Sequence, residues 1–553
     1  MINEKVINKI KYYLLILFVV IQPILDIYYL YTDKVVNMIG FSPSTIIRVG
    51  ITGILVLLTL ITTRNKKNWI FIIIYGLIVG IYTCAHLIHA NNFHSLVPGN
   101  FGYSITGELF YIARLMIPLC IAYIAYNMEI SSDDFEKAIK IILIMIAGTI
   151  VVTNLFKISL NSYTNEVIKD NIFGWFMGAY DKYNYSSLAS KGIFNFANQI
   201  AALLVLLLPV MMAIYVQRST ILNLATIIIT ILAMVMLGTK VALFGAIIDV
   251  LIFACILIFV RLVRKENTIN KKTVIAVGLS IIVLGGLFMK APAINREIVA
   301  RYVRINNSKV EVQGVEEQPK EEVPQEQPKE EAPQEQPKEE VPQEQPNMSE
   351  LQNEGMDQVK QPDKNNKDAM IEYIEKNYKN LMVGEQFITK SYPYQYDPEF
   401  WVDIINLPVV ERLDWRNIEQ RMLQRVMDIN DNPTDKLLGL TFVRTQNIFN
   451  LERDFVSQYY SIGILGVIIF LGPYVLLALA GIIRMLMRLK DAATVLNLSS
   501  IFAIIFALGV SYYSGNVLDA LTVTIILAFI LGHVSRLIFI ESNNCKDSLI
   551  HKN

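Results

Sequence analysis

The sequence predicts an all-α integral membrane protein with about twelve transmembrane helices and one large extracellular loop between helices 9 and 10. Three observations lead to this prediction. Hydrophobic residues make up 53% of the 553 residues and charged residues only 18%, which is more apolar sequence than a soluble core can bury. Apolar stretches long enough to cross a bilayer recur along most of the chain. Residues 290–455 interrupt this pattern with a long polar segment.

The predicted spans divide the chain into four parts. Residues 1–289 hold transmembrane helices 1–9, 290–455 form the loop, 456–540 hold helices 10–12, and 541–553 form a tail. The spans cover residues 12–31, 45–62, 69–88, 109–126, 139–156, 197–216, 221–237, 241–260, 274–288, 459–483, 495–513 and 517–539. Their typical length of about 20 residues matches the roughly 30 Å of hydrocarbon in a bilayer.

The positions of Lys and Arg predict the orientation in the membrane, because these residues concentrate in cytoplasmic loops. With a cytoplasmic N-terminus, the predicted crossings place the basic clusters 64–67, 261–272 and 484–490 on the same side as the C-terminal tail. We therefore expect a multi-pass protein of the plasma membrane with both termini in the cytoplasm and the loop outside. The net charge of +0 does not bear on orientation, since the location of the cations decides it.

The loop has two unlike parts. Residues 306–367 are rich in Pro, Glu and Gln and contain KEEVPQEQP, or its variant KEEAPQEQP, three times in tandem from Lys320. Frequent proline and the lack of an apolar face predict disorder, as a solvated spacer or as a ligand for a cell-wall partner. Residues 369–455 are rich in aromatic residues and are predicted to form an ordered helical part. None of the 4 cysteines lies in the loop, which excludes a disulfide framework there.

Short motifs follow one another along nearly the whole chain outside the repeat. They are QPILD (22–26), ELFYIARLMIP (108–118), KGIFNFANQIAALLVLLLP (191–209), LGTKVALFGAI (237–247), APAINR (291–296), ERDFVSQYYSIGILG (452–466) and YYSGNVLDA (512–520). In this order they resemble the O-antigen ligase and polymerase family, especially its members from Gram-positive bacteria.

The resemblance implies a glycosyltransferase with a GT-C-like bundle that uses neither metal nor cofactor. The implied donor is an undecaprenyl-diphosphate-linked oligosaccharide at the outer membrane face, and the acceptor is a glycan or a second lipid-linked glycan. The Gram-positive style of the motifs favours polymerisation of a cell-surface polysaccharide, such as capsule or a teichuronic-type polymer, over ligation. Membrane lipid is an expected partner and nucleic acid is not.

Transfer from a diphosphate needs cations that stabilise the departing negative charge. Lys240 in a short outer turn, Arg296 at the start of the loop and Arg421 ahead of a glycine-bearing segment match positions that the family uses for cations. Arg114 is a further candidate for binding the diphosphate, because a charge inside a transmembrane span is usually functional. Glu108 lies toward the outer end of the same span and is expected to position substrate or to pair with Arg114.

Polar residues at helix starts allow two interpretations. Asn195, Asn198 and Gln199 open a helix at the outer face, where they either cap it or contact the diphosphate, with Asn198 the candidate for positioning substrate. Asp519, at the start of the last span, is either a cap or part of the site wall. Asp26 and Arg48 are expected to form an ion pair between helices, since either charge alone in the bilayer is costly.

The proton acceptor departs from the family pattern. Many ligases place a histidine at the end of the large loop, but the 5 histidines of this chain all lie elsewhere, at 86, 89, 94, 533 and 551. Glu452 or Asp454 occupies the corresponding place and is predicted to act as the catalytic base, with an acidic helix cap as the alternative. The first three histidines are read as interfacial residues, with a metal site as the alternative.

Two other classes of function compete with a glycosyltransferase. A transporter or flippase of lipid-linked glycan would suit twelve helices, although the spans do not divide into two similar halves. A wall-associated scaffold without catalytic activity would suit the proline-rich repeat. It gives no reason for charges such as Arg114 and Lys240 within or beside apolar spans.

Overall fold

The computed structural model describes residues 4–31, 42–177, 188–298, 362–381, 384–412, 414–448, 452–515 and 517–541. Most of the predicted disordered repeat, residues 306–361, lies outside the described residues, as does the tail after Glu541. The described chain is almost entirely helical. Its β-structure is a two-stranded antiparallel sheet of β1 (Leu160–Asn161) and β2 (Ser190–Gly192).

Twenty α-helices are numbered here in chain order. They are α1 Glu4–Val20, α2 Pro43–Thr62, α3 Lys66–Ala90, α4 Ile105–Tyr126, α5 Ser132–Leu155, α6 Ile172–Met177, α7 Ala197–Gln217, α8 Ile221–Met236, α9 Lys240–Arg264, α10 Lys271–Phe288, α11 Lys367–Asn377, α12 Pro398–Ile405, α13 Val409–Arg412, α14 Trp415–Asn430, α15 Asp435–Leu438, α16 Phe442–Ile448, α17 Asp454–Met487, α18 Leu489–Ala492, α19 Val495–Tyr513 and α20 Leu521–Arg536. Helices α5 and α17 each contain a π-helical turn, at Ile144–Gly148 and Val467–Leu471.

Within the described residues, 11 helices are long and apolar enough to cross a membrane, as expected for a multi-pass membrane protein. They coincide with the predicted spans except at the seventh, where α8 is apolar but shorter. Helix α8 connects α7 to α9, and its end at Met236 leads directly into the turn before α9. The count of twelve spans stays a prediction.

Polar caps decide where several of these apolar helices begin, because the first amides of a helix have no partner inside it. The side chains of Ser104, Thr220, Thr239 and Thr494 accept hydrogen bonds from the amides three residues ahead, at the starts of α4, α8, α9 and α19. Asn270 forms a complete capping box with Thr273 at the start of α10.

Helices α7 and α20 form the centre of the bundle. Their apolar side chains are almost all buried, whereas α3 exposes large apolar residues along most of its length, as expected of a surface that faces lipid. Helix α20 packs along α4, and α19 packs along α7. The helices of the large loop have an apolar core of their own, centred on Trp401, Ile418 and Met422.

The loop helices pack on one end of the bundle, here called the loop face, where α4, α7, α9, α17 and α20 begin. Helix α17 is broken at this face by Gly463, whose φ is +65°. The break leaves backbone carbonyls of α17 free to bind the loop. The amide of Leu440 donates to the Tyr460 carbonyl (2.7 Å), and the amide of Thr441 donates to the Ser461 carbonyl (3.0 Å). A Cβ at Gly463 would lie 2.5 Å from the Leu438 nitrogen, so only glycine allows this approach.

Candidate functional site

A narrow cleft lies between α4, α17 and α20 at the loop face, and its accessible volume is about 10 Å³, room for about one water molecule. Tyr111, Arg114 and Asp519 form the polar part of the lining. Apolar side chains form most of the rest, including Leu115, Pro118, Phe470, Leu471 and Leu521. The cleft therefore combines charged groups with an apolar wall within the bundle.

Asp519 is held firmly at the cleft by its neighbours. Its Oδ1 accepts hydrogen bonds from the Tyr111 hydroxyl (3.3 Å) and from the side-chain amide of Gln458. Arg114 donates to the backbone carbonyl of Asp519, and within the described residues it makes no other hydrogen bond or ion pair. Burial raises the pKa of Asp519, while Arg114 and the two hydrogen bonds oppose that rise. Asp519 thus forms part of the cleft wall, one of its two predicted roles.

Asp454 fixes the turn that carries Asp519. Its Oδ2 accepts hydrogen bonds from the Ser511 hydroxyl (3.0 Å) and from the amides of Val517 (2.8 Å) and Leu518 (2.7 Å). The side chain is buried at the first residue of α17. These bonds give Asp454 a clear structural task, and its predicted role as catalytic base stays a prediction.

Glu452 belongs to a second group of charges, next to the turn that carries Asp519. Arg416 from α14 forms an ion pair with Glu452, with Nε 3.2 Å from Oε2. Glu419, one turn along α14, is fully buried, and neither carboxyl oxygen has a hydrogen-bond partner in the described chain. Burial, with the nearby charge of Glu452, raises the pKa of Glu419 well above its ordinary value. Arg453, half-buried between Glu452 and Asp454, has no ion-pair partner among the described residues.

A cluster of cations lies at the loop face around β2 and the turn before α9. Lys191 is buried, and its Nζ donates to the Asn165 side chain (3.0 Å) and to the Asn195 carbonyl (2.7 Å), and within the described residues no carboxylate pairs with it. Burial lowers the pKa of Lys191 to about 8. A Cβ at Gly238 would lie 3.2 Å from Pro292 and within contact of Ala189, so β2, this turn and the start of the loop meet here.

Two predicted diphosphate-binding residues belong to this cluster. Lys240, the first residue of α9, forms an ion pair with Glu297 and remains partly exposed. The guanidinium of Arg296 lies over the ring of Tyr163, 4.9 Å from its centre. The Tyr163 hydroxyl donates to the Gly238 carbonyl, which ties this ring to the turn before Lys240. Lys191, Lys240 and Arg296 are hereafter called the cation cluster.

Asp26 connects the cation cluster with the cleft. Its backbone carbonyl accepts from the Asn195 amide (3.0 Å), and its side chain interacts with the Thr522 hydroxyl in the first turn of α20. The expected ion pair with Arg48 does not form directly, because Arg48 donates to Gln22 (2.9 Å), to Thr522 and to Tyr31 (3.2 Å). A continuous chain of polar contacts therefore leads from Asn195 through Asp26 to Thr522 at the start of α20. Thr522 lies three residues after Asp519.

Glu108 does not pair with Arg114 but anchors the loop. Its carboxylate is fully buried, accepts from the Phe442 amide (2.8 Å) at the start of α16, and lies 3.1 Å from His86 Nε2. The other ring nitrogen of His86 lies 2.7 Å from the Leu438 carbonyl oxygen. Phe442 in turn stacks on Tyr111 of the cleft, with ring centres 3.7 Å apart. The predicted substrate-positioning role of Glu108 is therefore at most indirect, through the loop.

The other two histidines of this group also bind the loop. His89 Nε2 lies 2.7 Å from Asp435 Oδ1, and its Nδ1 lies 2.9 Å from the Thr434 hydroxyl. The His94 amide donates to the Asn430 side chain (2.7 Å). Arg444 is buried near the histidine contacts and donates to the Ala90 carbonyl (2.8 Å). Burial lowers the pKa of Arg444 to about 10.

Arg421 and Asn198 lie apart from the groups above. Arg421 is an exposed residue of α14 that forms an ion pair with Glu411 (2.8 Å) and contacts Asn417. Asn198 is half-buried in the first turn of α7, and no side-chain hydrogen bond of it occurs within the described ranges. The structure thus does not bring Arg421 to the cleft, while Asn198 lies next to the chain segment that contacts Lys191.

Sequence reasoning missed three charged residues that the structure makes prominent. Lys191 begins the motif KGIFNFANQ, and Arg453 lies within the motif ERDF, so attention to charges inside the motifs would have found both. Glu419 had no such signal, because its importance comes from burial.

Comparison with known proteins agrees with a multi-pass membrane protein. No curated protein and no solved structure matches the chain. A family model described as "O-antigen ligase like membrane protein" matches residues 8–541, which include all the described helices from the N-terminal span onward. The chain therefore belongs to the O-antigen ligase-like membrane protein family.

Proposed function

We propose that the protein is a glycosyltransferase that polymerises undecaprenyl-diphosphate-linked oligosaccharides into a cell-surface polysaccharide at the outer membrane face. The observation that carries the proposal is the cleft at the loop face. The cleft holds only about 10 Å³, so in this proposal α4, α17 and α20 separate to admit the donor. The apolar wall of Leu115, Pro118 and Phe470 would then contact the isoprenoid chain. Arg114 at the polar end would pair with the diphosphate. Family membership supports the assignment to glycan assembly.

The reaction joins two substrates by one substitution. The acceptor hydroxyl oxygen forms a bond to the anomeric carbon of the donor, the bond from that carbon to the diphosphate oxygen breaks, and the diphosphate keeps the electron pair. Arg114 stabilises the negative charge on the leaving diphosphate, since a guanidinium can pair with its oxygens in a partly dry site. A carboxylate near the cleft receives the hydroxyl proton.

The cation cluster supports polymerisation over ligation. In polymerisation both substrates are lipid-linked diphosphates, so two anionic groups must bind at the same membrane face. Within the described residues Lys191 has no carboxylate partner, and Lys240, which pairs with Glu297, and Arg296 belong to the same cluster, so this cluster suits the second diphosphate. Ligation to an acceptor without a diphosphate would not need it.

The test uses purified protein in liposomes with a lipid-linked oligosaccharide donor. Arg114→Ala is expected to lower kcat by about 100-fold or more, because one positioned donor to a developing charge is worth that much. Lys240→Ala is expected to raise KM for a lipid-linked acceptor with little change for the donor. Arg64→Ala, an exposed arginine paired with Glu4 at the opposite end of the bundle, is the matched control. Equal activity of Arg114→Ala and Arg64→Ala would refute the proposed site.

A further inference from the structure

We propose that Asp519 is the catalytic base that takes the acceptor's hydroxyl proton, in place of the loop histidine that this chain lacks. The inference rests on the proposed function and adds a named residue to it. Four features of the described residues support it: the free oxygen of Asp519, its fixed orientation, its position beside Arg114, and the engagement of the other nearby carboxylates.

The first feature is a carboxyl oxygen without a hydrogen-bond partner in the described chain. Both hydrogen bonds to the Asp519 carboxylate, from Tyr111 and Gln458, go to Oδ1. Oδ2 accepts none within the described residues, and Asp519 is only partly buried. Because Asp519 lines the cleft, Oδ2 can accept a proton from a hydroxyl group once the cleft has widened around the substrates.

The second feature is a fixed orientation. Asp454 holds the amides of Val517 and Leu518, directly before Asp519, while Arg114 holds the Asp519 carbonyl. Tyr111 and Gln458 then fix the side chain through Oδ1. A base that abstracts a proton during bond formation gains from such positioning, because little reorganisation is needed at the moment of reaction.

The third feature is the distribution of charge. Arg114 places a cation at the same cleft, so one short region can hold the leaving diphosphate and accept the proton. In the proposed step the O–H bond of the acceptor breaks, the proton goes to Asp519 Oδ2, and the oxygen's electron pair forms the new glycosidic bond. The charged and titratable groups that face Asp519 are Arg114, Tyr111 and the second carboxylate, Asp454.

The remaining carboxylates near the turn are less suited to this task. Glu452 is bound to Arg416, Asp454 accepts three hydrogen bonds through one oxygen, and Glu419 is fully buried outside the cleft lining. Glu108 is buried between His86 and the start of α16. Asp519 alone among these five combines a carboxyl oxygen without a hydrogen-bond partner in the described chain with a position in the cleft.

The experiment compares wild type, Asp519→Asn, Asp519→Glu and the control Asp403→Asn in the liposome assay. Asp403 is an exposed loop residue paired with Lys364. We expect Asp519→Asn to lower kcat by about 100- to 10,000-fold, the usual range for loss of a general base, with donor KM within about threefold. Asp519→Glu is expected to keep intermediate activity, and Asp403→Asn to match wild type. Binding of undecaprenyl diphosphate to Asp519→Asn, measured separately, is expected to match wild type and shows that the variant is folded.

Tyr111→Phe gives a second readout that a purely structural role would not move. The tyrosine hydroxyl stabilises the ionised form of Asp519, so its removal is expected to shift the acid limb of the kcat/KM–pH profile to higher pH. An unshifted limb, or wild-type kcat in Asp519→Asn, overturns the role of Asp519 while the proposed function stands. Absence of transfer by wild-type protein overturns the proposed function, and this inference with it.

Discussion

Glu108→Gln is expected to release the large loop from the bundle. Glu108 accepts from the Phe442 amide and faces His86 Nε2, while the other ring nitrogen of His86 faces the Leu438 carbonyl. The contact therefore joins two fully buried polar side chains, with His86 Nε2 3.1 Å from Glu108 Oε1. Glutamine would either point its side-chain N–H at the His86 ring or lose the hydrogen bond from the Phe442 amide.

The size of the effect follows from burial. Leaving a buried polar group without its hydrogen-bond partner costs about 1–3 kcal/mol, because that group stays out of water without compensation. A loss of about 3 kcal/mol in the free energy of local opening corresponds to about 150-fold faster amide exchange, since each 1.4 kcal/mol is tenfold. The amides of Leu440 and Thr441 report this opening, because they bind the broken part of α17.

Hydrogen exchange of residues 438–448 in detergent micelles measures the effect. Glu385→Gln is the control, since among the described residues this exposed carboxylate accepts a hydrogen bond from the Tyr378 hydroxyl alone (3.1 Å). The double variant His86→Ala/Glu108→Gln is expected to exchange no faster than the worse single variant, which is the sign of direct coupling. Unchanged exchange in Glu108→Gln, or strictly additive effects in the double variant, would refute the Glu108–His86 contact as the anchor of the loop.

Three further predictions concern the turn, the cation cluster and the buried carboxyl group. Gly463→Ala is expected to destabilise loop docking by more than about 2 kcal/mol, because φ of +65° disfavours alanine and its Cβ would meet the chain at Leu438; thermal unfolding measures it. Transfer is expected to lose kcat/KM as pH rises through about 8, where Lys191 loses its charge, while Lys191→Arg keeps its activity to higher pH in the same rate profile. Glu419→Gln is expected to be more stable than wild type at pH 8. The pKa of Glu419 is higher in the folded protein than its ordinary value of 4.5, so the stability of wild type falls as the pH rises above 4.5. Measurements of unfolding at pH 5 and pH 8 test this prediction.

Each of these predictions has a control and a contradicting result. Gly472→Ala, at a helical position with no neighbour within 4 Å of the new Cβ, should be tolerated; equal losses at both glycines would contradict the first prediction. An identical alkaline limb in wild type and Lys191→Arg would assign that limb to another group. Glu411→Gln, at an exposed ion pair, should show little pH-dependent change, and a Glu419→Gln variant less stable than wild type at pH 8 would contradict the third prediction.

The helices could be predicted from the sequence because span length and apolarity are local properties. Eleven long apolar helices appear where the pattern indicates them, and the family match follows the motifs quoted from 22 to 520. Helix α8 was the difficult span, because its apolar run is shorter and lies between two polar turns.

The site was harder to predict because its partners are far apart in the chain. Glu108 was expected near Arg114 on the same helix, yet its partners are His86 and the Phe442 amide of the distant loop. The Asp454 contacts to residues 517 and 518 and the pairing of Arg416 with Glu452 are likewise visible only once the loop is placed on the bundle.

The most direct test of the account is product analysis with purified protein and an undecaprenyl-diphosphate-linked oligosaccharide as both donor and acceptor. We expect wild type to produce a ladder of lengthened lipid-linked glycans and Arg114→Ala and Asp519→Asn to produce almost none. Wild-type protein that is folded and binds undecaprenyl diphosphate but never forms a glycosidic bond would contradict the central claim that this family member transfers glycans.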